Sequence, residues 1–446
     1  MRSRALFLVA LLAFAGSCTD QSVGIEPEVQ FANRGRAPFI ASAVAAGAQH
    51  ACAIGVDRST YCWGDNAYGQ LGDGSNDASL APVAVAGGHS FVEITSGAHH
   101  HTCGLTRSGI LWCWGQNPFG QLGDGTTEDS NVPVQAAPSL KFRSVDAGTY
   151  HTCGMATDGT AYCWGSNGPL IQAPGVRTGW AFGTPTTTMC DNPDAPYRGT
   201  EWHCSLTPVA VPGPAFTSIR AGLWASCGLT ASGNAFCAGW NALWELGNGT
   251  LANAPAMTPV SGGLELDALE LGALSGCGLV GTSAHCWGQR EFLSGVLGSG
   301  TMAGSSVPVP VAGGLSFASM HPTDANNINA HTCGLTTSGK AYCWGNNRFG
   351  GLGTEAALGS CFFGDDGCAS SPVAVAGPNK FVALTTGSNF SCGVAKNLSV
   401  YCWGSNVSGQ LGDGTQDDQF APVRVQAPGG RRVVSLRLCK SGRVSA

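Results

Sequence analysis

The side chains in this 446-residue chain best equipped for chemistry are its 20 cysteines and 10 histidines. Fourteen cysteines fall in pairs: Cys52/Cys62, Cys103/Cys113, Cys153/Cys163, Cys227/Cys237, Cys277/Cys286, Cys333/Cys343 and Cys392/Cys402. Zinc ligation favours short Cys-x2–4-Cys spacing, which these pairs lack. Their wider separation fits two antiparallel strands joined by a tight turn. With Arg107, Ser108 and Gly109 as that turn, Cys103 and Cys113 stand opposite each other, with Cα atoms about 4.5–5.5 Å apart, inside the disulfide window. Cys277 and Cys286 lie one residue closer, and there the turn shrinks to Gly281-Thr282, which keeps the sulfurs opposed. Turn length and spacing change together, as a stapled hairpin requires. Cys190/Cys204 and Cys361/Cys368 are expected to staple two insertions, and Cys439 is left without a partner. Such bridges persist outside the reducing cytosol.

Other candidate chemistry has a plainer reading. Gly334 to Lys340 spells G-L-T-T-S-G-K, but Ala341 stands where a phosphate loop needs Ser or Thr, and the matching string G-L-T-R-S-G-I is a hairpin turn. Histidine precedes the first cysteine by two positions at His50, His101, His151 and His331, where Ala225, Ser275 and Phe390 replace it elsewhere; each is expected to be a structural histidine packed against its own unit. The acidic groups Asp73/Asn76/Asp77, Asp124/Glu128/Asp129 and Asp413/Asp417/Asp418 lack the alternating spacing of a calcium loop and read as solvated turns. Trp63, Trp114, Trp164, Trp287, Trp344 and Trp403 recur at one place and read as packing residues rather than a sugar ladder. No catalytic elbow, metalloprotease helix or dinucleotide glycine set is present. The expectation is a protein without catalysis, cofactor or metal.

The elements that must position these residues come from an internal repeat. First cysteines at 52, 103, 153, 227, 277, 333 and 392 define seven units of about 50 residues. Each holds four short β-like pieces separated by Gly-rich turns, for example Phe91–Ile94, the His-x-Cys-x-Leu piece, the Cys-Trp-Gly piece and Pro82–Val85. Four strands per unit and seven units describe an all-β, seven-bladed propeller with one disulfide-stapled hairpin per blade. The repeated G-x-x-H-x-C-x-L, C-W-G-x-N-x-x-G-Q-L-G-D-G and P-V-x-V pieces resemble the repeats of the regulator of chromosome condensation family, over about residues 38 to 426. The resemblance implies the propeller fold and does not specify an activity.

The expected organisation is a signal at 1–17, a tether at 18–37, the propeller at 38–426 with insertions near 166–206 and 354–371, and a basic tail at 427–446. Arg2 and Arg4, the apolar run Ala5–Ala15 and Gly16-Ser17 before Cys18 resemble a bacterial lipoprotein signal, although Ala15 stands where a large aliphatic residue is usual. That resemblance implies lipid attachment at Cys18 and residence in the bacterial cell envelope or outside the cell, with no other membrane attachment. Charged residues make up only 11%, and the net charge of −6 gives no basic footprint for nucleic acid. Ring closure is open between two pieces, Phe39–Val44 and Val433–Leu438.

Function is expected where units differ. The first insertion carries Trp180, Phe182, Tyr197 and Trp202, and the second carries Phe362 and Phe363. Aromatic residues on stapled loops suit a protein interface, or else they plug the ring. The leading expectation is a monomeric, non-catalytic scaffold for a protein partner of unknown identity. The family resemblance adds two rival expectations, nucleotide exchange on a GTPase and inhibition of an envelope enzyme, and the aromatic insertions a third, carbohydrate binding or processing.

Overall fold

The computed structural model describes residues 39–169, 180–190, 202–290, 295–323, 329–356, 358–361 and 364–430. Cys18, Tyr197, Phe362, Phe363, Cys439 and the side chain of Cys361 lie outside the described residues.

The chain folds into seven antiparallel sheets. Blade 1 uses Ala41–Ala46, His50–Gly55, Thr60–Gly64 and Ser79–Ala84 as its first to fourth strands, and the other blades repeat this order. Blades 3 and 6 add a fifth strand, Thr188–Cys190 and Gly359–Cys361, from the insertions. First strands touch their neighbours all the way round, and that of blade 7 touches that of blade 1, so the ring is closed with the first strands innermost.

In every blade the second and third strands pair with their cysteines opposed. All seven hairpins are bridged, with Cα atoms 4.0–4.1 Å apart, closer than the opposed-strand spacing leads one to expect. In blade 5, Val280 pairs with Ser283 across the two-residue turn, so the shorter spacing preserves the geometry. Cys190–Cys204 staples the first insertion with Cα atoms 6.0 Å apart, and Cys368 is disulfide-bonded. The glycine after the tryptophan is required by close approach: Gly64 has φ +104°, and a Cβ there would strike the Gln49 carbonyl oxygen.

The six repeated tryptophans are fully buried and tie blade to blade. Each indole Nε1 donates to a backbone carbonyl in the preceding blade: Trp114 to Gln70, Trp164 to Gln121, Trp287 to Glu245, Trp344 to Val296 and Trp403 to Gly351, at 2.7–3.0 Å. Trp63 closes the circle by donating to Gln410 of blade 7 at 2.9 Å. Among the described residues the N-terminal piece joins the closing edge, with Ala41 N–H donating to Leu398 O at 2.9 Å and Val400 N–H donating to Phe39 O at 3.2 Å; the rival piece Val433–Leu438 lies outside the described residues.

The histidines need a correction. They do not pack only on their own blade; each reaches the next one. His50 Nε2 bonds to Thr102 Oγ1 (2.8 Å), His101 to Thr152 (3.1 Å), His151 to Ser226 (2.9 Å) and His331 to Ser391 (2.8 Å). Where blade 7 has Phe390 instead, blade 1 offers Ala51, and both are buried in one apolar cluster. Imidazole faces hydroxyl, and phenyl faces methyl.

The acidic turns are organised around an asparagine. Asn66 Nδ2 donates to Ser75 O and Asp77 O, both at 3.0 Å, and to Asp73 Oδ1 at 3.5 Å, while its Oδ1 accepts from Leu71 N–H. Asn117, Asn241 and Asn406 repeat the pattern. An amide nitrogen thus fills the middle of a loop whose oxygens could otherwise hold a cation.

Candidate binding face at one end of the ring

Strand direction decides which loops share an end. The first and third strands of a blade run parallel, so the turns after first strands and the loops after third strands lie at one end of the ring. The described parts of both insertions follow third strands, and therefore belong to that end. The asparagine loops lie there too.

This loop end carries a connected strip of rings. Tyr68 lies 5.2 Å from His100, His99 4.4 Å from Tyr150, and Tyr150 stacks on Trp224 at 6.4 Å with planes 12° apart. Trp224 continues to Trp240 at 5.8 Å. Tyr68, His99, His100, Tyr150, Trp224 and Trp240 are all half-buried. Behind them, Phe119 and Trp202 are buried and touch Tyr150, with centroids 5.7 and 6.3 Å away. Nearby, Arg290 lies over the Trp244 ring at 5.8 Å, a cation–π arrangement.

His100 holds a left-handed backbone (φ +57°), uncommon for a non-glycine residue. Its Nδ1 lies 3.4 Å from Asp65 Oδ2, and Gln70 Nε2 donates to the same oxygen at 2.6 Å. Burial, helped by repulsion from His100, lowers the His99 pKa to about 4, so His99 is neutral at physiological pH.

The residues expected to form the binding surface divide by position. Phe182 is fully buried. Its N–H donates to Asn167 Oδ1 just as Leu71 and Leu122 donate to Asn66 and Asn117, so it is the apolar residue of an ordinary loop and not an anchor for a partner. A phenylalanine fits there because Ala238 stands where other blades have tryptophan, and Gly183 rests against Ala238. Trp202 supports the strip from behind. Trp180 is half-buried against His203, with centroids 4.5 Å apart.

Sequence reasoning missed a second constellation, in the central channel. The residue before the last of each first strand points to the axis: Ala45, Thr95, Asp146, Arg220, Glu270, His321 and Thr385 form one tier. Aligning the units at the following Gly-x-x-His piece would have shown four charged or titratable members in a row. Arg220 binds Glu270 through Nε (2.8 Å) and Nη2 (3.0 Å). Asp146 Oδ2 accepts from Ala221 N–H of the next blade at 2.8 Å, and Thr95 and Thr385 act likewise on Ala147 and Ala46. Burial raises the Asp146 pKa to about 6 against the opposing pull of Arg220. The tier, Arg220 excepted, lines a cavity of about 160 Å³. Its polar groups serve mainly to join blades.

Among the described residues, no group of three or more His, Cys, Asp or Glu side chains is placed to hold a metal ion, and no helix is long and apolar enough to cross a membrane.

Family models described as the regulator of chromosome condensation (RCC1) repeat match residues 59–103, 108–155 and 399–437 in one form, and 41–70, 91–121, 329–350 and 381–410 in another. The matched segments are RCC1 repeats. The chain is 26% identical over 399 residues to the ultraviolet-B receptor UVR8 of Arabidopsis thaliana, covering 86% of this chain and 81% of the receptor. A 93-residue stretch is 37% identical to the human E3 ubiquitin-protein ligase HERC2 but spans only 2% of that protein. Among solved structures, Prp20p of Saccharomyces cerevisiae superposes with a TM-score of 0.67 at 19% identity, covering 88% of each chain. That likeness is one of fold.

Proposed function

We propose that this RCC1-repeat ring is an exported, non-catalytic scaffold that binds a protein partner through its loop end, with Tyr150 and Trp224 as the central contacts. The observation that carries the reading is the half-buried ring strip from Tyr68 to Trp240 on a disulfide-stiffened frame. Tyrosine and tryptophan supply contact area at low entropic cost, and they dominate interface energetics. Prp20p, of like fold, is described as binding Gsp1p and histones, which supports a protein as the class of partner. Cys18 is the proposed lipid attachment, the cell envelope the proposed location, and the monomer the proposed state. Trp180, at the start of the described part of the first insertion, extends the proposed surface, and a binding role for Tyr197, Phe362 and Phe363, which lie outside the described residues, is proposed from their sequence positions alone.

The test is recovery of envelope proteins on immobilised protein, comparing wild type with Tyr150→Ala/Trp224→Ala and confirming the variant's fold by its thermal melt. The proposal expects at least one partner bound by wild type and lost by the variant. Equal recovery of every partner would overturn it. The same proteins separate the rivals: nucleotide release from a GTPase would favour exchange activity, a slowed envelope enzyme would favour inhibition, and retention on insoluble polysaccharide would favour carbohydrate binding.

A further inference from the structure

The opposite end of the ring has different chemistry. It carries the turns after second strands and the connections between blades. Going round from blade 6 through blades 7, 1 and 2 to the start of blade 3, it presents Lys340, Lys380, Lys396, Arg58, Arg107, Lys141 and Arg143, all exposed. The one acid in that arc is Asp57; Asp158, Glu265 and Asp267 lie beyond it, in blades 3 and 5. The cations are neighbours in space. Lys396 N–H donates to Lys380 O at 2.7 Å, and Phe381 N–H, next to Lys380, donates to the carbonyl of Gly339, next to Lys340, at 2.8 Å. Phe142 N–H, next to Lys141, donates to the carbonyl of Gly109, two residues after Arg107, at 2.9 Å.

Interspersed with them are apolar side chains open to solvent: Val56 at 41%, Leu398 at 40%, Val92 at 50% and Val382 at 55% exposure. Val56 and Leu398 sit on facing turns of blades 1 and 7, joined through Ile40: Val56 N–H donates to Ile40 O, and Ile40 forms a bridge with Ser399. The loop end has the opposite balance, with Asp77, Glu128, Asp129, Glu355 and Asp417 exposed against Arg290 and Arg348.

Both described chain ends also emerge here, in the middle of the basic arc. Phe39 precedes the first strand of blade 1, and Gly430 follows the fourth strand of blade 7. Beyond Gly430 the sequence carries Arg431, Arg432, Arg437, Lys440 and Arg443 with no acid.

We propose that this end is a docking surface for an anionic phospholipid bilayer. Cations draw the ring to negatively charged headgroups, and the four exposed aliphatic side chains enter the interface between them. Docking in this way turns the acidic loop end and its ring strip away from the membrane. The inference stands apart from lipid attachment at Cys18, because charge and exposed apolar surface would act without an acyl chain.

The test uses full-length protein carrying Cys18→Ser, with the N-terminus verified by mass spectrometry, in co-sedimentation with vesicles. Phosphatidylcholine mixed with phosphatidylglycerol is compared with phosphatidylcholine alone. Binding is expected only to the anionic vesicles and is expected to fall steeply with added salt. Arg58→Glu, Arg107→Glu, Lys340→Glu, Lys380→Glu and Lys396→Glu together should weaken it by at least about tenfold. Arg290→Glu with Arg348→Glu, at the other end, should leave it near wild type. Equal binding to both vesicle types, no binding to either, or equal loss in the two sets of variants would overturn the proposal. So would tighter binding to short duplex DNA than to the anionic vesicles.

Discussion

Replacing His151 and Ser226 together by Phe and Ala should make the ring less sensitive to acid by about one histidine. The substitution copies a pair the ring already contains, Phe390 against Ala51. In wild type, burial lowers the pKa of His50, His101 and His151 from 6.5 to about 3, and that of His331 to about 4. Each imidazole is therefore neutral in the folded ring and takes up a proton near pH 6.5 once the chain unfolds. Its contribution is intact above about pH 6.5 and shrinks as pH falls toward the folded value. From about pH 7.5 to about pH 5 each such histidine should cost the fold about 2 kcal/mol. Glu245 and Asp146 work the other way. Burial raises them to about 8 and about 6, so they add stability as pH falls and offset part of the loss. Urea unfolding followed by tryptophan fluorescence, with disulfides intact, should show wild type weakening across this range and His151→Phe/Ser226→Ala weakening by about 2 kcal/mol less. An unchanged pH dependence in the variant would refute the neutral, inter-blade role given to His151.

Three further outcomes follow from contacts between blades. Trp63→Phe removes the indole donor that joins blade 1 to the Gln410 carbonyl; it should destabilise by about 1–3 kcal/mol, and Trp114→Phe by a similar amount, so a thermal melt showing no loss in either would contradict the latch. Arg220→Met leaves Glu270 without its bidentate partner and should cost about 1–3 kcal/mol at neutral pH. Part of that loss should return as pH falls toward about 6, because Asp146, released from the pull of Arg220, takes up its proton at a higher pH than in wild type, and a loss that grows on acidification would argue against this reading. Ala238→Trp should overpack against the first insertion and cost about 1–3 kcal/mol; adding Phe182→Leu should recover most of it, and failure to recover would deny that the two residues share one space.

Most of the frame is legible in the sequence because it repeats. Cysteine spacing, turn length and the position of Cys-Trp-Gly covary from unit to unit, so a one-residue change at Cys277/Cys286 confirms the hairpin rather than obscuring it. The inter-blade pairs were also written there, as His50 with Thr102 or Phe390 with Ala51, but comparing each unit with itself hides a contact made to the next. The channel tier was harder to see. Asp146, Arg220, Glu270 and His321 occupy one register position, yet they share no chemistry, and no motif marks a site assembled from seven separated strands. Phe182 misled for the opposite reason: it falls inside an insertion, but the asparagine loop continues through it, so its aromatic ring belongs to the core. The aromatic strip was only partly legible: His100, Tyr150 and Trp224 each stand three residues before a first cysteine, but Tyr68 and Trp240 come from loops after third strands and join them only through packing in the folded ring.

The most direct test of the whole account is peptide mapping of the native protein under non-reducing conditions. The account predicts seven hairpin-linked peptide pairs, Cys52–Cys62, Cys103–Cys113, Cys153–Cys163, Cys227–Cys237, Cys277–Cys286, Cys333–Cys343 and Cys392–Cys402, with Cys190–Cys204 as an eighth. Free thiols at these positions in freshly isolated protein would contradict the stapled ring, and with it the proposal of an exported scaffold.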